Sequence, residues 1–354
     1  MELLRGKSKR KVPVILLPRG RLSTLETMNS SPGNQLLYLS RADVQAIGPT
    51  MAEIIQALEV MFREKGEGRV EMPAKIGVHP MPDAFIHAMP AYIAAQKAVG
   101  MKWVSGYPEN NKRGLPYIAG LLILNDAETG MPMAVMDCTW ITAQRTGAAT
   151  AVAARYLARP ESETVGILGC GVQGRSNLEA LKVLFPLKKV RAYDVHPDRS
   201  AAYAREVRSA LGIEVLPVDT PKEAVVACDI VVTTGPILRT PHATIQRGWL
   251  AEGGFASLVD FDSYWHPDAL HEADKFCTDD VPQLEHYRGI GYFQNIPPIY
   301  TDLGELVTGR KPGRQNPRER TFACNLGLAL DDIAIAPLIY ERALKRGIGT
   351  RLPL

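Results

Sequence analysis

One stretch near the middle of the chain restricts the possible folds more than any other, because glycines punctuate it at a characteristic spacing. Gly169, Gly171 and Gly174 follow a β-rich apolar run with the spacing G-x-G-x-x-G, and a helix-compatible segment begins directly after them. In this context the first glycine permits a tight turn, the second lets the backbone approach a pyrophosphate, and the third packs the helix on the strand. The stretch predicts a dinucleotide-binding βα unit. The predicted contacts are Gly169, Gly171, Val172, Gln173 and Gly174.

Two further strands extend this prediction. Residues 190–194 form a predicted strand that ends in Asp194, twenty positions after Gly174, where a carboxylate accepts hydrogen bonds from ribose hydroxyls. Asp194 favours NAD over NADP. Arg199 lies five residues later, at a distance that suits a 2′-phosphate, so NADP stays an alternative. A third predicted strand, residues 229–235, ends in small polar residues that suit a position beneath the cofactor. Those residues are Thr233, Thr234 and Gly235.

Composition and charge exclude several classes of protein. A length of 354 residues predicts two domains, and 46% hydrophobic with 22% charged residues is typical of a soluble globular protein. The net charge is +3, but residues 1–34 alone carry seven Lys or Arg and two Glu. The rest of the chain is therefore slightly acidic, which argues against a nucleic-acid partner. We interpret residues 1–34 as a solvated basic extension.

The cysteine pattern and the apolar runs indicate a cytoplasmic protein. The five cysteines contain no C-x-x-C pair, which predicts reduced core residues and neither a disulfide framework nor a metal site. No apolar run approaches the length of a membrane span, so we expect no membrane partner. The short apolar piece at 12–18 contains two prolines and lacks a small-residue cleavage pattern, which argues against a signal peptide.

The segment before the glycine motif predicts an α+β unit with a mixed or antiparallel sheet. Ser40 is placed to cap a short helix, and Thr50 with Glu53 forms a capping box for an amphipathic helix. Residues 69–90 divide into short β-like pieces, and residues 91–99 predict a small helix. The other predictions are a polar loop at 108–114 and a hairpin from 117–124 and 133–137.

The remaining chain predicts an α/β unit. Residues 142–157 form a predicted helix rich in small residues, which leads into the glycine motif as a hinge. Beyond residue 160 strands alternate with helices until about residue 300, which indicates a parallel sheet covered on both faces. The apolar helix at 327–345 needs a partner surface, and we place it against the first unit.

A cofactor domain joined to a basic-lined catalytic domain suggests hydride transfer, in which the protein anchors the charges of the substrate. The candidate anchors are Arg69, Lys102 and Arg145. Arg145 is the best of them, because it lies near the start of a helix made of Ala, Thr and Gly, where a large cation has no packing role. Asp260 and Asp262 follow an apolar strand at a C-terminal strand end, where ligands bind in open α/β sheets. One of them is suited to exchange a proton with a substrate amine.

Several motifs resemble, in order, the ornithine cyclodeaminase/μ-crystallin family over roughly residues 35–345. The resemblance implies a homodimer with an NAD(H)-binding Rossmann domain and a substrate domain made from both chain ends. The implied division is a basic extension at 1–34, a substrate-binding and dimerisation domain at 35–145 with 326–354, and a Rossmann domain at 146–325. The motifs are Met89-Pro90, Lys102-Trp-Val-Ser-Gly-Tyr-Pro108, Gly114-Leu-Pro116, Thr142-Ala-Gln-Arg-Thr-Gly147, Ala158-Arg-Pro160 and Gly169-Cys-Gly-Val-Gln-Gly174.

The resemblance also implies roles for single residues. Arg69, Lys102 and Arg145 match carboxylate-binding cations, Asp262 matches the catalytic aspartate, and Thr146 joins the cofactor contacts. Asp262 and Lys102 are the predicted catalytic residues. The implied chemistry begins with hydride leaving Cα of an amino acid for the nicotinamide, which gives an imine. Water attack then gives an oxo acid and ammonia, whereas attack by a side-chain amine gives a ring.

Three departures from the family pattern concern the substrate side chain. His87 stands where a cyclodeaminase is expected to have glutamate, although it is also interpretable as a hydrogen-bonded core residue. Tyr117 replaces a small residue, and residues 259–265 are bulkier and carry a second acid. We therefore predict an oxidoreductase that interconverts an L-amino acid and its imino or oxo acid. Ornithine cyclodeamination is the alternative, and a non-catalytic cofactor or ligand carrier is the alternative of another class.

Overall fold

The computed structural model describes residues 35–354, and the basic extension predicted at 1–34 lies outside the described residues. Within the described range the chain forms two sheets of eight strands each. The first sheet takes strands from both ends of the range. They are β1 (Gln35–Leu39), β2 (Val70–Glu71), β3 (Ile76–Val78), β4 (Phe85–Ile93), β5 (Ala98–Gly106), β6 (Ile118–Asp126), β7 (Pro132–Asp137) and β16 (Thr350–Pro353).

The first sheet is mixed, as predicted. Its strands follow the order β16-β1-β7-β6-β5-β4-β2, with β3 paired to the free part of β4. β1 and β7 are parallel, and the strands from β7 to β4 are antiparallel. The predicted hairpin is confirmed as β6 and β7.

The small helix predicted for residues 91–99 is wrong. β4 continues to Ile93 and pairs with β5 over nine residues, and a short 3₁₀ turn at Ala94–Gln96 joins the two strands. Met89, Ala91 and Ile93 are buried at a spacing of two, which is the period of a strand. The alanine content favours a helix locally, but pairing on both sides overrides this preference. The predicted loop at 108–114 contains a 3₁₀ helix at Pro108–Arg113.

Four helices accompany the first sheet. The Ser40 cap is confirmed, and so is the capping box in which Thr50 and Glu53 bond to each other's backbone. The tail helix packs on β4 and β5, which confirms its predicted return to the first unit. The helices are α1 (Arg41–Ile47), α2 (Met51–Gly66), α3 (Thr139–Leu157) and α10 (Ala329–Arg346).

The small residues of α3 allow it to pass closely between the two sheets. Fourteen of its residues are buried, and it contacts α2 and β6 of the first unit. In the second unit it contacts α4 (Val172–Leu184), β12 (Phe255–Leu258) and β15 (Thr321–Cys324). A Cβ at Gly147 would lie 2.3 Å from the backbone oxygen of Ser176, so glycine is needed where α3 crosses the next helix. The domain boundary predicted at 145/146 falls inside α3.

The second sheet is entirely parallel, which confirms the Rossmann-type α/β prediction. Its strands are β8 (Thr164–Leu168), β9 (Lys189–Tyr193), β10 (Glu214–Pro217), β11 (Ile230–Thr233), β12 (Phe255–Leu258), β13 (Lys275–Thr278), β14 (Thr301–Asp302) and β15 (Thr321–Cys324). Its helices are α4 (Val172–Leu184), α5 (Pro197–Leu211), α6 (Pro221–Val225), α7 (Pro267–Leu270), α8 (Val281–Gly289) and α9 (Leu303–Val307).

The strand order β10-β9-β8-β11-β12-β15-β13-β14 reverses direction at β8. Since crossover connections are right-handed, the helices on either side of this reversal cover opposite faces, and a crevice opens at the carboxyl ends of β8 and β11. In the sheet, β15 lies between β12 and β13. In the sequence it follows residue 300, near which the predicted alternation of strands and helices ends. Within residues 35–354, none of the helices combines the length and apolar content that a membrane crossing requires.

Candidate active site

The glycine motif forms a tight turn between β8 and α4. Gly169 adopts a φ of +103°, and a Cβ there would lie 2.7 Å from Thr234 Oγ1. A Cβ at Gly174 would lie 2.3 Å from the backbone oxygen of Gly169, so the third glycine permits the contact between helix and strand. A Cβ at Gly171 would meet nothing within 4 Å, which leaves this side of the turn open.

The start of α4 offers a site for an anion. Gly171 precedes the helix without a side-chain cap, so the first backbone N–H groups of this 13-residue helix point outward unpaired by a side chain. Val172 is 63% exposed beside it, and Gln173 follows. Asp194, at the end of β9, accepts hydrogen bonds from Cys170 N at 2.9 Å and His196 N at 3.0 Å. Asp194 thus fixes the glycine turn, and its ribose contact stays a prediction.

The end of β11 is tied to the end of β12 by Asp260. Its two carboxylate oxygens accept from Thr233 Oγ1 at 2.6 Å and from Gly235 N at 2.7 Å. Thr233 is fully buried, and the Tyr264 ring covers Gly235. Thr233, one of the three residues predicted to lie beneath the cofactor, therefore joins the ends of two strands through its bond to Asp260. Thr234 lies over the glycine turn, where its hydroxyl donates to Gly169 O at 2.8 Å.

Lys102 and Arg145 come together, as predicted, on the side of the first sheet that faces α10. Lys102 Nζ lies 2.5 Å from Asp332 Oδ2 and 3.4 Å from Thr142 Oγ1. Arg145 lies 3.4 Å from both Asp331 and Asp332, through Nη1 and Nε respectively. Thr146, one residue further along α3, is buried and donates to the Thr142 carbonyl at 2.7 Å.

Lys75 completes the group of cations, and it is not among the anchors predicted from the sequence. Its Nζ donates to the Leu326 carbonyl at 2.6 Å and lies 5.6 Å from the centre of the Tyr287 ring. Burial, reinforced by the positive charge of Arg145, lowers the pKa of Lys75 to about 7. Within residues 35–354 no carboxylate lies within ion-pair distance of Lys75. We name Lys75, Lys102 and Arg145 the cation cluster.

Arg69 does not join the cation cluster. It pairs with Glu64 and Glu67 at the end of α2, and about half of its side chain is exposed. The predicted role of Arg69 as a substrate anchor therefore has no support from its position. The local sequence gives no signal for Lys75, because the strand that follows it is exposed: Ile76 is 63% and Val78 56% exposed.

Three buried carboxylates surround the cation cluster. Asp279 accepts from Gly327 N at 2.7 Å, and burial raises the pKa of its carboxyl to about 6. Asp331 accepts from Leu328 N at 2.9 Å, and burial raises the pKa of Asp331 to about 7. Asp332 is the partner of Lys102. These acids reach the cluster from β13 and from the first turn of α10, which lie far from it in sequence.

Asp262 lies apart from the cation cluster. It is 5% exposed, its Oδ1 has no hydrogen-bond partner within the described residues, and burial raises its pKa. No ion pair joins it to Lys75, Lys102 or Arg145. Asp262 lines a cavity of about 200 Å³ together with Pro241, Ala243, Trp265, Pro267, Leu270 and Asn295. Between the two aspartates Phe261 turns the chain with a φ of +63°. The two carboxyl groups differ in their partners: both oxygens of Asp260 accept hydrogen bonds, whereas Oδ1 of Asp262 has no partner within the described residues.

His87 and Tyr117 are both partly buried. Burial, with the positive charge of Lys75, lowers the pKa of His87 to about 3, so the ring is neutral at physiological pH. It stacks on Phe85 with a centroid separation of 4.2 Å. Burial raises the pKa of Tyr117, helped by Asp83. Asn325, which follows β15, is 5% exposed and has no partner for either polar atom of its side chain within the described range.

The order of these elements and motifs matches a known family. The family model described as ornithine cyclodeaminase/mu-crystallin matches residues 37–347. The chain belongs to this family. The resemblance inferred from the motifs is therefore confirmed.

Three relatives illustrate the range of the family. The chain is 35% identical to the nodulation efficiency protein NfeD of Rhizobium meliloti, over 88% of this chain and 97% of that protein. It is 35% identical to the structure of Thermococcus litoralis Δ1-pyrroline-2-carboxylate reductase in complex with NADH and L-proline, with a TM-score of 0.80 over 89% and 99% of the two chains. It is 33% identical to an archaeal alanine dehydrogenase dimer with bound NAD, with a TM-score of 0.80 over 90% and 99%.

Proposed function

We propose that this chain is an NAD(H)-dependent oxidoreductase that interconverts an L-amino acid and its imino or oxo acid. The observation that carries the proposal is the cation cluster, which gathers three basic side chains near the carboxyl ends of β13 and β15 in the parallel sheet. Cations in a partly buried site favour a carboxylate ligand, because its charge is poorly screened there. The alanine dehydrogenase and pyrroline-2-carboxylate reductase named above support the same class of chemistry.

The residues present fit a dinucleotide. The open side of Gly171 and the uncapped start of α4 suit the pyrophosphate, and Asp194 stands at the strand end that suits the ribose. Asn325 offers an unpaired donor and acceptor at the same edge of the sheet. When bound, the nicotinamide supplies a hydride acceptor or donor.

The chain's own groups then have distinct roles. Lys75 and Arg145 hold the substrate carboxylate, and Lys102 fixes Asp332 beside them. Asp262 is the group that takes or returns a proton at the substrate nitrogen, since its Oδ1 is free and burial keeps its pKa above the ordinary range. A neutral His87 provides no negative charge for a second ammonium group, which favours a side chain without a cation over ornithine.

The outer face of the first sheet supports the proposed homodimer. Tyr38, Val135, Ile123 and Met101 are cross-strand neighbours on the face opposite the buried Lys102. On the next row of this face Trp103 is 45% exposed. A continuous apolar sheet face of this kind is typical of a protein interface. We name this surface the outer sheet face.

The test is an assay of the purified protein with NAD and a panel of L-amino acids that includes ornithine. Reduced-cofactor absorbance and ammonia are recorded together. Reduced cofactor that appears in step with ammonia supports the proposal and names the substrate. Ammonia and proline from ornithine, without net reduced cofactor, would instead establish cyclodeamination. Cofactor binding without turnover of any amino or imino acid would indicate a carrier.

A further inference from the structure

The charges around the cation cluster balance only while the substrate is absent. When all six side chains are ionised, three cations face three carboxylates, all on buried or partly buried side chains. A substrate carboxylate that binds at Lys75 and Arg145 adds a fourth negative charge. An uncompensated charge inside a protein is strongly unfavourable, so one carboxylate must be neutralised or expelled. The carboxylates are Asp279, Asp331 and Asp332.

Asp331 combines the lack of a close cation with one oxygen that has no partner within the described residues. Its side chain is fully buried, and Oδ1 has no hydrogen-bond partner within the described residues. Oδ2 accepts from Leu328 N at 2.9 Å, and its contact with Arg145 Nη1 is long, at 3.4 Å. Neither oxygen of Asp332 has a hydrogen-bond partner within residues 35–354, but Lys102 Nζ lies 2.5 Å away. Asp279 has no cation within ion-pair distance there, but its two oxygens accept hydrogen bonds from Thr278 Oγ1 and Gly327 N.

The charged groups that face Asp331 from neighbouring elements act on its protonation in opposite directions. Two positive charges oppose protonation of Asp331: Arg145, on α3, and Lys75, in the segment before β3. Asp279 after β13 and Asp332 on α10 add negative charge that favours protonation. An incoming carboxylate draws Arg145 toward itself and leaves two like charges beside Asp331.

We propose that the site takes up one proton with each carboxylate that it binds, and that Asp331 accepts this proton. The inference rests on the proposed function, because it assumes that Lys75 and Arg145 receive the carboxylate. The proton comes from solvent and forms an O–H bond on Asp331, with no change in oxidation state. The protonated side chain gains a donor, which the free Oδ1 can direct to the bound carboxylate.

The test is calorimetric titration of pyruvate into the NADH-loaded protein without ammonia, so that no turnover occurs. Pyruvate has no amine, so its own protonation does not contribute. Titrations at about pH 7.5 in phosphate and in Tris, whose ionisation enthalpies differ, give the number of protons taken up. We expect roughly one proton per pyruvate, and a Kd that rises about tenfold between about pH 7.5 and about pH 8.5.

The variant Asp331→Asn keeps an acceptor for Leu328 N and should bind pyruvate without proton uptake and with a Kd that no longer varies with pH. Asp331→Gln also places an acceptor at this third helical position, where glutamine commonly bonds to the backbone N–H of the capping residue, and serves if the asparagine variant does not fold. Asp268→Asn, a change at a side chain that is 69% exposed, is the matched control and keeps the uptake.

Two results would contradict proton uptake by Asp331 and leave the proposed function intact. Pyruvate binding without proton uptake by the unmodified protein contradicts it, and uptake that persists in Asp331→Asn assigns the proton to another group of the site, Lys75 or Asp279. If neither pyruvate nor phenylpyruvate binds, the carboxylate site itself is absent and the proposed function fails with it.

Discussion

Lys102 Nζ lies 2.5 Å from Asp332 Oδ2, and the two side chains are 1% and 0% exposed. The pair joins β5 of the first sheet to the first turn of α10, two elements more than 200 positions apart in sequence. Because burial lowers the pKa of Lys102 and Asp332 opposes this effect, each charge depends on the other. The pair fixes the wall on which the cation cluster is built.

Replacing Lys102 with Met should destabilise the protein, because it leaves Asp332 buried without its cation. We expect the free energy of unfolding, measured by urea denaturation, to fall by about 3–5 kcal/mol. Lys97→Met is the matched control, since Lys97 and its partner Glu128 are both 72% exposed, and it should leave the midpoint unchanged. Equal midpoints for the two variants would show that the buried pair adds no stability.

Replacing Lys75 and Arg69 in turn tests which of them anchors the substrate: the structure favours Lys75, whereas the sequence predicted Arg69. Lys75→Met should raise KM for the amino acid on the order of a hundredfold, because a charged contact to the carboxylate is lost. Arg69→Met should leave KM unchanged, since Arg69 is occupied by Glu64 and Glu67. Steady-state kinetics of both variants provides the check. The opposite ranking would return the role to Arg69.

Replacing Asp262 should affect catalysis, whereas replacing Asp260 should affect stability. Asp262→Asn should abolish turnover and leave the Kd for NADH, measured by fluorescence titration, unchanged, because only a free carboxyl is altered. Asp260→Asn should lower stability in urea, since asparagine cannot accept from both Thr233 and Gly235. Full activity of Asp262→Asn would move the acid–base role to another residue.

If the outer sheet face is the dimer interface, a charge placed on it should prevent dimerisation. Trp103→Glu should convert the proposed dimer to a monomer in sedimentation velocity, because a desolvated carboxylate would lie in an apolar interface. Val60→Glu places the same charge at an exposed position of α2, where Val60 is 43% exposed, and should leave the mass unchanged. A dimer that survives Trp103→Glu would exclude this face as the interface.

Features set by neighbouring residues in the chain were predictable from sequence. The glycine turn, the strand that ends in Asp194 and the Thr50 capping box each depend on a few adjacent residues, and all form as predicted. Residues 91–99 were misassigned because their local preference for a helix is overridden by pairing with distant strands.

The missed parts of the site depend on contacts between distant segments. Lys75 joins Arg145 only after β3 pairs with β4, and Asp331 arrives from the last helix. Sequence spacing left Asp260 and Asp262 as alternatives, whereas the hydrogen bonds of Asp260 show which carboxyl is occupied. No local pattern contains this information, because burial and partners are properties of the folded chain.

The central claim is that hydride moves between Cα of an amino acid and the nicotinamide. It is tested most directly by incubating the protein with NAD and the best L-amino acid of the panel, deuterated at Cα, and by measuring the mass of the reduced cofactor. We predict that the reduced cofactor carries the deuterium from the first turnover. Reduced cofactor that forms without the label would contradict the account, because its hydride would then come from another atom.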